Sequence, residues 1–180
     1  LVLLAQERGL GGRGEDLLAR LARWNGDRGK RADASRKLAQ RWARAAEKLL
    51  GGAGDWGGSE PANGPICLAL ANPDNIARKR SPSGEHWISA GGRGYSLDPA
   101  SPLARAQWLV IADAQGQAKG ARISAAAELA QQDIETALGH MIESRSVLEW
   151  NESAQRIEAR HERRLGAIRL ASGPDSAPDP

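Results

Sequence analysis

The triplet Arg78-Lys79-Arg80 and the lone Arg93 are the side chains in this sequence whose type and spacing suit a ligand, and that ligand is an anion. The triplet closes a short apolar run over residues 75–80 that reads as a strand. Strand alternation puts Arg78 and Arg80 on one face and Lys79 on the other. Two guanidinium groups so placed can follow a phosphate backbone, each offering a planar fork where lysine offers a point charge. Arg93 stands at the tip of a glycine-rich turn, Gly91-Gly92-Arg93-Gly94, where missing side chains let a ligand come close to the main chain. Trp87 or Tyr95 would supply a stacking platform, a contact worth roughly 1–3 kcal/mol per base. A plainer use of the triplet is to charge an exposed edge strand against aggregation, and Trp87 and Trp108 fit a core as well as they fit a binding face.

Covalent and metal chemistry find no comparable residues. GGRGEDL and GGRGYSL have the glycines of a phosphate loop but lack its Lys-Ser/Thr pair, and GxSxG, HExxH and CxxC are absent. His86, His140 and His161 fall on three different expected elements, so no metal set is expected. Asp98-Pro99 is turn chemistry and Asp113 ends a strand. A single cysteine, Cys67, excludes an internal disulfide; lying in an apolar run, it reads as a small core residue.

The bulk numbers agree with binding without demanding it. The net charge of the 180 residues is only +3, but five lysines stand against twenty arginines among the 25 cations. Arginine richness suits phosphate and base contacts, and follows equally from GC-rich codons. No apolar run approaches the roughly 20 residues that cross a bilayer, no signal peptide opens the chain, and a cytoplasmic setting is the default. A chain that starts at Leu1 reads as a piece of something longer.

The elements that must hold these residues divide the chain. Residues 1–50 read as a helical segment: the end of one helix stopping near Gly9, a second with Leu17, Leu18, Leu21 and Trp24 at helical spacing, and a third over residues 30–50. The third carries a stripe of Ala34, Leu38, Trp42, Ala45 and Leu49, with Arg31, Arg36, Lys37, Arg41, Arg44 and Lys48 on its other faces. Trp24, Trp42 and Trp150 read as core. Residues 51–64 are a Gly-rich linker by composition, with Trp56 placed to pin it. From residue 65 to 170 a short buried helix precedes strands at 75–80, 86–89, 94–97, 108–113 and 121–125, a helix over 126–143, and a hairpin turning at residues 151–154. Residues 171–180 read as a flexible tail. The fold class is α+β, with a helical segment followed by a small antiparallel β-barrel of the oligonucleotide-binding (OB-like) kind, an added helix and a C-terminal hairpin.

Three stretches carry a family resemblance: LALANPDNIARKR, AGGRGYSLDPASPLARAQWLVIAD and SVLEWNESAQRIEARHERRLGAIRL. Together they resemble the C-terminal part of bacterial HrpB-type ATP-dependent RNA helicases, of the DEAH/RHA class of superfamily 2, and LLAQERGLGGRGEDLLARL is similar to the helicase-associated region before the barrel. The resemblance implies a barrel at the exit of an RNA channel, with RecA-like motors upstream in the same polypeptide. ATP and magnesium are expected only in those motors and no cofactor in this chain. The expected partner is single-stranded RNA, or DNA, held by its backbone through Arg78, Lys79, Arg80 and Arg93. The rival expectation is a non-catalytic scaffold module that packs on helicase domains or on a partner.

Overall fold

The computed structural model describes residues 1–7, 9–49, 63–117 and 119–175. Three helices come first: α1 (Val2–Gln6), α2 (Leu17–Gly26) and α3 (Lys30–Leu49). Asp16 starts α2 because its carboxylate accepts the otherwise unsatisfied amides of Leu18 and Ala19, at 2.8 and 3.1 Å. Leu17, Arg20 and Trp24 then recur on the buried face. The expected 51–64 linker and its Trp56 lie outside the described residues, apart from Asn63, which caps α4 (Gly64–Ala71), and Gly64, which begins it.

Five strands close into the expected barrel: β1 (Ile76–Lys79), β2 (His86–Ser89), β3 (Gly94–Ser96), β4 (Trp108–Gln115) and β5 (Lys119–Leu129), in the order β1-β2-β3-β5-β4. One pairing departs from the antiparallel expectation, since β3 and β5 run parallel. Alternation along the strands splits the apolar residues in two. Ala77, Trp87, Tyr95, Leu109, Ile111 and Ile123 fill the barrel. Ile76, Trp108, Val110, Ala125, Ala127 and Leu129 face outward and share a second core with Leu3, Leu4, Leu17 and Trp24 of the helices. A backbone bond from Ala126 N to Glu15 O, 2.8 Å, fixes the start of α2 to β5.

The helix expected over 126–143 is largely replaced. Ala126, Ala127, Glu128 and Leu129 continue β5, opposite Ile111, Val110, Leu109 and Trp108 of β4. Alanine favours helices, but here both faces of the strand are covered and only small side chains fit, so packing overrides propensity. What remains helical is α5 (Gln131–Thr136), followed by a 3-10 turn at Gly139–Met141.

The C-terminal hairpin forms between β6 (Ile142–Asn151) and β7 (Arg156–Leu165), and β8 (Ile168–Pro174) adds a third strand. The chain therefore stays paired past Leu170, where an unstructured tail was expected. Gly166 takes a positive φ of 53° in the β7–β8 turn, and Ala167 N donates to Ala90 O at 2.7 Å, seating the turn on the barrel.

Three expected core residues lie at the surface. Trp42 is 41% exposed because α3 runs out beyond the body, and Trp150 is 57% exposed because the β6–β7 hairpin overhangs the barrel. Cys67 is exposed on α4, where it borders a hollow shared with Leu1 and Val2. Trp24, Trp87 and Trp108 are buried.

Candidate nucleic-acid interface

The basic triplet occupies three different environments because it straddles the end of β1. Arg78, on the outward side with Ile76, lies opposite Trp108 of β4. Its guanidinium sits 5.5 Å from the Trp108 ring centroid and donates to the Arg169 carbonyl of β8 at 2.8 Å. Lys79 faces the other way and closes one end of the barrel, its Nζ 3.4 and 3.2 Å from the carbonyls of Ala104 and Arg105, at the end of the 3-10 turn Pro102–Arg105. Arg80 follows the strand's last residue and its side chain is exposed. Arg78 and Arg80 therefore do not share the single face that strict alternation predicts, because the strand ends between them.

Arg80 instead borders a hollow of about 390 Å3 with Ser81, His86, Trp87, Gly94, Tyr95 and Gly120. Arg93 does not line this hollow: its guanidinium lies 5.2 Å from the centroid of the ring of Tyr95, which does. A second contact, Nη2 to the Gly116 carbonyl at 3.5 Å, leaves most of its donors open. Part of the hollow's lining is bare main chain, at Gly94 and Gly120. A Cβ on Gly120 would meet nothing within 4 Å, and one on Gly94 would only graze Gly120 N. The Arg80 amide donates to His86 O at 2.8 Å, which holds the two residues at one end of the hollow. Glu85 Oε2 stands 3.9 Å from His86 Nε2, so the rim is not purely cationic.

The aromatics do not form an open platform. Trp87 is inside the barrel with its indole N–H on Gly84 O at 2.7 Å, and the Tyr95 hydroxyl lies 3.4 Å from Asn75 Oδ1. Both also line the hollow. The glycine turn is also less available than its composition suggests. The amides of Gly91, Gly92 and Arg93 donate to Asp74 O, Ser89 O and Ser89 Oγ, so they are not a free nest for an anion.

Sequence reasoning missed His86 and Ser81. Period two in His86-Trp87-Ile88-Ser89 places His86 outside and Trp87 inside, a signal that needed only the neighbouring Arg80 to become informative.

In the other glycine turn, carbonyls 11 and 13 accept from Arg23 at 2.7 and 2.8 Å, so acceptors rather than donors line it. Among the described residues no cluster of three or more His, Cys, Asp or Glu gathers, and no helix is long and apolar enough to cross a membrane.

With this geometry in view, comparison with solved structures gives a crystal structure of the E. coli DExH-box NTPase HrpB, which superposes with a TM-score of 0.74 over 99% of this chain at 22% identity. The fold is that of one part of HrpB. A second structure, described as the E. coli DEAH/RHA helicase HrpB, matches over 64% of this chain with a TM-score of 0.55 and 24% identity. The chain spans 21% of the first HrpB chain and 14% of the second, so the likeness concerns one part of that protein. No family model and no curated protein matches the sequence. The segments that resemble HrpB-type helicases in sequence thus lie within a fold shared with HrpB nearly end to end.

Proposed function

We propose that this chain is a non-catalytic, helicase-associated part of an HrpB-type ATP-dependent RNA helicase, and that its barrel holds single-stranded RNA by the sugar-phosphate backbone. The observation that carries the reading is the hollow bordered by Arg80 and by bare backbone at Gly94 and Gly120, with Arg93 held on the ring of Tyr95, another of its lining residues. A guanidinium beside exposed main chain, with a second one close by on Tyr95, admits a polyanion without asking for a base, which suits binding with little sequence preference. Arg78 and Lys79 support this site from behind, one tying the second sheet to the barrel and the other closing the barrel's end. Hydrolysis of ATP, with its magnesium, belongs in this reading to RecA-like motors elsewhere in the polypeptide. The motors would draw the strand past the barrel, which resists backsliding because the helices anchor it.

The test is a titration of labelled single-stranded RNA at several salt concentrations. Backbone binding gives a log–log slope of about −0.7 per phosphate neutralised. The Arg80→Ala/Arg93→Ala double variant should weaken binding and flatten that slope while its thermal unfolding stays close to the parent's. Absence of binding at low salt would remove the reading and favour the scaffold alternative, for which the internal contacts of Arg78 and Lys79 already speak.

A further inference from the structure

The inner half of α3 packs on α2, with the Trp24 indole N–H on Ser35 Oγ at 2.8 Å and an Arg36 guanidinium N–H on the Trp24 carbonyl at 2.7 Å. From Gln40 to Leu49 every residue of the helix is exposed. This outer half stands away from the body.

Its cations are arranged. Lys37, Arg41, Arg44 and Lys48 follow one another at steps of four, three and four residues. At 3.6 residues per turn they fall within about 60° of arc, and at 1.5 Å rise they are roughly 6, 4.5 and 6 Å apart along the axis. All four are exposed, and none forms a hydrogen bond or ion pair among the described residues. Asp33, one turn before Lys37, is bonded to Arg36 instead, and Glu47 lies to the side of the line.

Helix stability does not account for this ridge. Like charges four apart destabilise a helix by a few tenths of a kcal/mol per pair. The helix dipole favours cations only in the last turn, which includes Lys48 but not Lys37 or Arg41. A regular line of unpartnered cations matches a regular line of anions. Phosphates recur about every 3.4 Å along each strand of a duplex and further apart where a single strand is extended.

We propose that the Lys37–Arg41–Arg44–Lys48 ridge is a second contact for the nucleic-acid backbone, distinct from the barrel hollow. It rests on the reading of this chain as a nucleic-acid-binding part, and it lengthens the footprint from the barrel to a projecting helix. An acidic protein surface would also meet four cations, but nothing in such a surface requires that they keep to one line along the helix.

The test uses the whole chain and labelled single-stranded oligouridine RNA, read by fluorescence anisotropy across a salt series. One variant carries Lys37→Gln, Arg41→Gln, Arg44→Gln and Lys48→Gln, which keep helix propensity; the other carries Arg80→Ala and Arg93→Ala. The ridge variant should melt with the parent, since all four side chains are exposed. It should bind at least about tenfold more weakly at low salt, with a slope shallower by roughly 2–3. Unchanged affinity and slope in the ridge variant, with loss in the barrel variant, would overturn the ridge alone. Loss in the ridge variant with none in the barrel variant would uphold the ridge and overturn the hollow. A parent chain that does not bind the RNA would overturn both.

Discussion

The guanidinium of Arg78 lies over the indole of Trp108 while donating to the carbonyl of Arg169, so one side chain joins two barrel strands to the second sheet. The cation–π contact is worth about 0.5–1 kcal/mol in a partly exposed setting, and the charge-assisted bond adds about as much or more. Arg78→Ala should therefore lower stability by about 1–2 kcal/mol, seen as a lower urea midpoint. Arg78→Lys should recover little of it, because an ammonium cannot lie flat on the ring and reach the carbonyl together. RNA affinity should change less in either variant than in Arg80→Ala.

The same junction depends on Gly166. Its φ of 53° suits glycine, and a Cβ there would drive into the carbonyl of Ala90, which accepts from Ala167 N. Gly166→Ala should cost about 1–3 kcal/mol from the backbone strain and loosen the second sheet first. Hydrogen exchange should report faster amides in β7 and β8 while those of β1 and β4 stay protected. Uniform loss across both sheets would mean that they unfold as one unit.

Much of the barrel was legible in the sequence because its strands are short apolar runs ended by Gly, Pro or Asp, and such punctuation is local. His86-Trp87-Ile88-Ser89 declares its inner and outer faces by itself. Ala125-Ala126-Ala127 does not: its helix propensity is real, and only burial on both sides makes it a strand. Ile168–Pro174 was missed because Ser172, Gly173 and Pro174 are turn residues by composition and become a strand only through pairing with β7. The cations were found, but not their directions. Where β1 ends is set by the chain turning after Lys79, and that separates Arg80 from Arg78.

Arg20 is 4% exposed and donates to three main-chain carbonyls, those of Leu10, Leu4 and Glu7, at 3.1, 2.6 and 3.0 Å. Burial, with the nearby Arg23 charge, holds its guanidinium below the ordinary value. The carbonyls compensate, since Leu4 lies in the last turn of α1 and Glu7 follows it, where acceptors are left without helical partners. Arg20→Met keeps the apolar stem but leaves those acceptors bare. It should destabilise by roughly 2–4 kcal/mol, and Arg20→Lys should not restore it, because one ammonium cannot span the three carbonyls. A variant as stable as the parent would mean that water replaces the guanidinium at no cost.

Glu162 of β7 is 2% exposed and lies among arginines, with Arg164 Nη1 at 2.9 Å, Arg169 Nη1 at 3.2 Å and Arg145 Nη2 at 3.8 Å. The hydrogen bond from Arg164 contributes most to holding its carboxyl below the usual value of 4.5; burial opposes this, and the bond from Arg169 adds to it. A carboxylate depressed in the folded state binds its proton more readily when unfolded. Its stabilising contribution is thus complete above the unfolded value and is lost as pH falls through the lower folded one. Glu162→Gln should therefore melt below the parent at pH 7, and the gap should close as the pH is taken below 4.5. If the gap stays constant down to strongly acidic pH, packing rather than charge makes Glu162 necessary, and the three arginines meet there without depending on its ionisation.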